Sequence, residues 1–169
     1  MFNQAIIRVG IRYGVLCGVA CFAIVLLLYF MGLNPFGDYG RYSFIPIPFA
    51  IFLGIRYYKK FNDTEIGFLR GLRVGTSVAF YAALCTSMLV FILTYVAGPE
   101  LLQQHIQEMK ALLEETREDQ IKIMGERMFE EGYKALDSMS PSMLAADDFV
   151  RRFVGGLVFA LIAAVFYRK

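Results

Sequence analysis

Long uncharged runs separated by charged stretches set the plan of the chain. The longest, Val74 to Gly98, holds 25 residues without one charged side chain. At about 1.5 Å of rise per residue, a helix of that length crosses roughly 30 Å of hydrocarbon with some tilt. Tyr13 to Met31 gives 19 uncharged residues behind Arg8 and Arg12. Tyr42 to Ile55 gives 14 in front of Arg56, Lys59 and Lys60, and Phe153 to Tyr167 gives 15 between Arg151-Arg152 and Arg168-Lys169. The pattern predicts an all-α integral membrane protein, a single domain over 1–169, with four transmembrane helices at about 6–31, 42–58, 64–98 and 142–167. The second run is the short one. Its uncharged residues rise only about 21 Å, so a full crossing needs Tyr42 and Tyr57 in the interfaces and Arg56 snorkelling. A re-entrant segment is the alternative. Pro46 and Pro48 either precede this helix or kink it.

Small residues recur every four positions in three of the runs. Gly10, Gly14 and Gly18 lie in the first, Gly67, Gly71, Gly75, Ala79 and Ala83 in the third, and Gly156, Ala160 and Ala164 in the last. A step of four follows one drifting ridge of a helix. In lipid such a ridge lets another backbone approach closely, so these positions are the predicted helix-packing residues. A direct contact between helices 1 and 3 follows as a hypothesis. Asn62-Asp63-Thr64 offers caps for a third helix beginning near Thr64.

The character changes after Gly98-Pro99. Glu100 to Asp148 carries 12 acidic and 5 basic residues, yet Leu102, Ile106, Met109 and Leu113 keep helical spacing. Ile121, Met124 and Met128 resume an apolar set after the polar stretch Glu114 to Gln120. The expectation is an extramembrane helical segment over about 99–138, as two pieces or one bent helix, that packs partly on itself. The first apolar stripe (Leu102, Ile106, Met109, Leu113) is the candidate contact for a protein partner or a second copy, because an amphipathic helix needs cover for its apolar face. Ser140 or Ser142 caps the next helix around Pro141.

Composition supports this reading. Hydrophobic residues reach 57%, above the roughly 45–50% of soluble domains. With four crossings, the side holding both termini has nine basic residues against two acidic ones, and the other has eight against thirteen. The positive-inside rule then puts both termini in the cytoplasm and 99–150 outside a bacterial inner (cytoplasmic) membrane. Arg151-Arg152 oppose that assignment, offset in part by Asp147 and Asp148 at helical i,i+4 spacing. A cleaved signal peptide fits the first run poorly, since its apolar stretch exceeds the usual core of about 7–15 residues. The small net charge, +2, gives no reason to expect nucleic acid. Cys17, Cys21 and Cys85 sit in apolar runs and read as small apolar side chains rather than a disulfide framework.

The chemistry-bearing residues are few. The membrane runs hold no Asp, Glu, Lys, Arg or His, which disfavours a proton-coupled pump. Thr76, Ser77, Tyr81, Thr86, Ser87 and Thr94 give the third helix polar groups suited to bonding within or between helices. The one histidine, His105, lies near Glu108; two such groups fall short of a zinc site, and a solvated helix face is the ordinary reading. No GxxxxGK[ST], GxSxG or HExxH motif is present,. No catalytic residue, cofactor site or metal site is expected.

The turn and second crossing, LNPFGDYGRYSFIPIPFAIFLGIRYYKK, then TEIGFLRGLRVGTSVAF and the Gly98-Pro99-Glu100 exit into an acidic helical segment resemble a bacterial membrane-protein family known as domain of unknown function 4199. The resemblance covers nearly the whole chain. It implies four inner-membrane helices and supplies no activity and no catalytic residues. A non-enzymatic scaffold or accessory subunit of a membrane complex leads, with the bilayer and a protein partner as its contacts. A small transporter or channel, oligomeric or not, is the alternative, and a membrane-embedded lipid or glycan enzyme stands behind it. A transporter calls for a cavity lined by Thr76, Tyr81 or Thr86. An accessory protein calls for dry helix contacts and an exposed apolar stripe. An enzyme calls for carboxylates gathered at one membrane surface.

Overall fold

The structure, a computed structural model, describes residues 4–62 and 66–168. These residues form seven α-helices and one 3-10 helix, with no strand among them. In order they are α1 (Gln4–Phe30), the 3-10 helix Asp38–Phe44, α2 (Pro46–Phe61), α3 (Phe68–Ala97), α4 (Pro99–Glu115), α5 (Arg117–Met124), α6 (Glu126–Asp137) and α7 (Pro141–Tyr167). Helices α1, α3 and α7 are long and apolar enough to cross a membrane. Helix α2, with 16 residues, rises only about 24 Å.

Helices α1 and α7 flank the α2–α3 pair, and α3 packs on all three of the others. Ile51, Ile55, Tyr58, Val74 and Val78 fill the centre. The outer surface is just as apolar: Leu16, Leu27, Met88, Ile92, Leu161 and Val165 all point away from the bundle. Large residues outside and small residues at the contacts is the arrangement that helices packing in lipid adopt.

The small-residue ridges meet in an order the sequence left open. The α3 ridge lies against the α7 ridge: a Cβ added at Gly156 would sit 2.7 Å from Ala79 Cβ, and one at Gly75 2.9 Å from Ala160 Cβ. Ala83 is buried further along the same helix. Helix α1 also packs on α3, but against a different face. An added Cβ at Gly14 would approach Tyr81 Cβ to 2.6 Å, one at Gly18 would approach Cys85 Cβ to 2.6 Å, and one at Gly10 would collide with Ser77. At Gly71 an added Cβ would make ordinary contact with Ala164, at 3.5–3.6 Å. Gly67 departs from the expectation. It is the residue before α3, in extended backbone, and an added Cβ there meets nothing. The ridge therefore begins one turn later than its spacing implied. Helix α3 begins at Phe68 rather than near Thr64; the expected Asp63 and Thr64 caps lie outside the described residues. Cys17 and Cys21 are buried free thiols, their sulfurs in hydrogen-bond contact at 3.9 Å with no disulfide between them.

Two other boundaries move. The start predicted for helix 2, near Tyr42, is taken by the 3-10 helix, and α2 begins at Pro46. A proline at the first helical position lacks an N–H that would have had no partner anyway, so Pro46 initiates the helix rather than kinking it. The segment after α3 is three helices, neither two pieces nor one. Gly98 (φ +84°, ψ −176°) and Gly125 (φ +84°, ψ +154°) adopt backbone open to glycine alone, and each sets the start of a new helix,. Helix α6 folds back on α4. Lys110 bonds Asp137 and lies over the Tyr133 ring, and Arg117 lies over Phe129. Ser140 caps α7, its hydroxyl accepting from the Met143 N–H at 3.3 Å.

Candidate functional site

Polar side chains gather where the 3-10 helix, α4 and the first turns of α7 meet. Arg152 is the anchor. It is 1% exposed, although it carries a permanent charge. Its Nε donates to Asp148 Oδ2 at 2.8 Å, its Nη1 to the Ser43 carbonyl at 3.0 Å and its Nη2 to Ser43 Oγ at 2.8 Å. The guanidinium also lies 4.5 Å over the Phe44 ring, and Ser43 Oγ donates onward to the Gly40 carbonyl at 2.7 Å. A buried arginine persists only with its charge balanced and its donors engaged. The Asp148–Arg152 spacing supplies the carboxylate from the same helix, and the 3-10 helix supplies the rest. This is why residues 38–44 coil tightly across the end of the bundle.

The second half is built on Asn34. Its Oδ1 accepts from the Phe36 N–H at 3.0 Å, which fixes the amide orientation. Its Nδ2 then donates to Glu108 Oε2 at 2.7 Å and lies 3.3 Å from His105 Nδ1. With Nδ1 accepting, the imidazole proton sits on Nε2. That atom has no partner among the described residues, and no unpartnered buried side-chain nitrogen exists there, so Nε2 opens onto the adjoining cavity. Burial lowers the His105 pKa below its ordinary 6.5, and Arg151 lowers it further, against the opposite pull of Glu108 and Asp147. The ring is neutral at pH 7.

His105 overturns the solvated-face reading: it is 2% exposed, edge-on to Phe36. The face that α4 buries is Leu101 and His105. The predicted stripe of Leu102, Ile106, Met109 and Leu113 is one position around the helix and only half-buried. The i,i+4 pairing of Leu101 with His105 was available as a signal, but a lone histidine among glutamates reads as surface.

A cavity of about 210 Å³ lies between these halves, with Asp38, Arg41, Asp147 and Arg151 on its rim, and a neighbouring cleft of about 460 Å³ shares the His105 wall. Each rim carboxylate is matched by its own arginine: Asp38 with Arg41 at 2.6 Å and Asp147 with Arg151 at 2.7 Å. Among the described residues, no three His, Cys, Asp or Glu side chains are placed to hold a metal ion. The arrangement fastens α4 and α7 to the turn after α1 and leaves one neutral N–H donor facing a polar hollow. It gathers carboxylates at one end of the bundle, but Asp38, Asp147 and Asp148 are each paired with an arginine and Glu108 accepts from the Asn34 amide.

The other polar residues divide into two groups. Thr86, Ser87 and Thr94 donate to carbonyls one turn back on their own helix, and Thr86 also reaches the Gly18 carbonyl at 3.2 Å. Thr76, Ser77 and Tyr81 line a groove between α1, α3 and α7.

No curated protein and no solved structure matches the chain. The model of one family, described as a protein of unknown function (DUF4199), matches residues 12–169. With nearly the whole chain inside that match, the protein belongs to this family.

Proposed function

We propose that the protein is a non-enzymatic scaffold or accessory subunit of the bacterial inner (cytoplasmic) membrane. In this reading α1, α2, α3 and α7 cross the bilayer, both termini are cytoplasmic, and α4–α6 stand outside as the docking element for a protein partner or a second copy. Helix α2 completes its crossing with its flanks, the 3-10 helix at one end and Lys59 and Lys60 at the other.

The observation that carries the reading is the outer module. Its root is fixed by Asn34, His105 and Arg152, and its helices pack on one another, yet Ile123 is 83% and Met128 63% exposed. Large apolar residues left in water at the end of a folded element are typical of a binding face. The dry ridge contacts among α1, α3 and α7 support the same reading, because they describe a rigid base. The contact set shifts from the predicted α4 stripe toward the α5–α6 corner, where the exposure lies.

Replacing Ile123 and Met128 together with Glu should abolish the crosslinked species formed in native membranes while leaving the protein inserted. The pair Ile106→Glu and Met109→Glu, half-buried against the protein itself, should instead unfold the module. Crosslinks that survive Ile123→Glu/Met128→Glu unchanged would overturn the docking role. The transporter alternative would need the Thr76–Tyr81 groove to lead through the bundle. That groove is walled by α1, α3 and α7 without α2 and opens on the outer surface, which favours the scaffold.

A further inference from the structure

We propose that the groove between α1, α3 and α7 is a binding site for one anionic glycerophospholipid. The groove encloses about 500 Å³, with Ile7, Leu72, Phe80 and Phe153 as apolar walls. Its polar groups run down one line of α3. Arg73, Ser77 and Tyr81 are four residues apart, and Thr76 lies beside Ser77. Each step of four descends about 6 Å along the helix.

Two observations point to a ligand. First, Arg73 is exposed and makes no ion pair or hydrogen bond among the described residues. It stands at the end of the bundle that also carries Arg8, Arg12, Arg56 and Lys60. Secondly, the hydroxyls of Thr76, Ser77 and Tyr81 have no hydrogen-bond partner among the described residues, unlike those of Thr86, Ser87 and Thr94 further along the same helix. None of the three residues is fully exposed, and no buried side-chain oxygen lacks a partner among the described residues. Their oxygens therefore keep accessible surface, and all three residues line the groove, Ser77 with its hydroxyl at the α1 wall beside Gly10. In hydrocarbon there is no water to satisfy them, and an idle hydroxyl is costly.

A phospholipid matches this spacing. Its phosphate meets the Arg73 guanidinium, for which an oxyanion is the preferred partner. The glycerol separates that phosphate from the ester carbonyls by a distance on the order of one helical turn, which brings acceptors to Ser77 and Thr76. Helical side chains lean toward the N-terminus, so the Tyr81 hydroxyl points back toward the same carbonyls. The acyl chains then lie along Phe80 and Phe153. The α1 wall is close because Gly10 admits Ser77.

This inference rests on the membrane reading above, and the experiment separates the two. The full chain is first shown to resist carbonate extraction from membranes; failure there sinks the membrane reading itself. The chain is then purified in mild detergent and titrated with phosphatidylglycerol or phosphatidylcholine, with bound lipid counted by native mass spectrometry. One phosphatidylglycerol should be retained in preference to phosphatidylcholine. Arg73→Gln should weaken that binding about tenfold. Ser77→Ala and Tyr81→Phe should each weaken it about two- to tenfold. Arg56→Gln, at the same end but outside the groove, should leave it unchanged, and Thr76→Phe should block it by filling the space. Equal retention of the two lipids, or equal losses for Arg56→Gln and Arg73→Gln, would overturn the site. The polar substitutions change little volume, so the outcome does not depend on whether Thr76→Phe folds.

Discussion

Removing the Arg152 side chain tests whether the buried cluster holds the 3-10 helix against α7. In Arg152→Ala, Asp148, itself 8% exposed, loses its ion-pair partner, and the Ser43 carbonyl loses its donor. Breaking a buried pair from one side costs about 3–5 kcal/mol. The neighbouring Arg151–Asp147 pair has the same spacing, but its side chains are 52% and 46% exposed. Arg151→Ala should therefore cost no more than about 1 kcal/mol. The double variant Asp148→Leu/Arg152→Met removes both charges and leaves only the Ser43 carbonyl unpaired. It should lose about 1–3 kcal/mol, less than the single variant. Reversible unfolding in mixed micelles, followed by far-ultraviolet circular dichroism, measures all three. If Arg152→Ala proves as mild as Arg151→Ala, the cluster is not a structural anchor. If the double variant is worse than Arg152→Ala, stranded charge is not the source of the loss.

The glycine contacts predict a graded series in the same assay. Gly14→Leu and Gly156→Leu should destabilise by about 1–3 kcal/mol or more through overpacking, whereas Gly67→Ala should be near neutral. Gly71→Ala, with ordinary contact distances and a better helix former, should gain up to about 1 kcal/mol. A Gly14→Leu variant as stable as the parent would refute the close α1–α3 approach. Docking of α4 should depend on pH through His105, which faces Arg151 and Asp147 on α7, Glu108 on its own helix, and a cavity rimmed by Asp38 and Arg41. Its folded pKa lies below the ordinary 6.5, so the unfolded chain binds the proton more readily. The stabilisation is complete above about 6.5 and is lost as pH falls from there toward the lowered folded value. Amide exchange in α4 should quicken across that window, and His105→Gln should flatten the response; an unchanged pH response in His105→Gln would assign it to another group. For orientation, with the native cysteines replaced, an impermeant thiol reagent applied outside should label a cysteine at Gln120 and miss one at Asn62. The opposite pattern would invert the topology.

Some of this protein was written in one dimension. Helices α1, α3 and α7 follow from uncharged runs, because hydrocarbon-length apolar stretches have few other ways to satisfy their backbone. The four-residue spacing of Gly10, Gly14 and Gly18, or of Gly75 and Ala79, marks contact faces for an equally local reason: side-chain size at one helical stripe. Which stripe meets which is not local. Ridge spacing is the same in three helices, and only the bundle decides that the α3 ridge takes α7 while α1 takes the opposite side. The buried polar cluster was still less legible. Asn34, Ser43, His105 and Arg152 come from four separate elements, and each alone has the composition of a turn or a solvated face. Charge favours water until other groups replace it. Helical spacing alone sets Asp148 beside Arg152, but Arg152 becomes a core residue only once Ser43 and Phe44 are brought over it, and that step is made by tertiary structure.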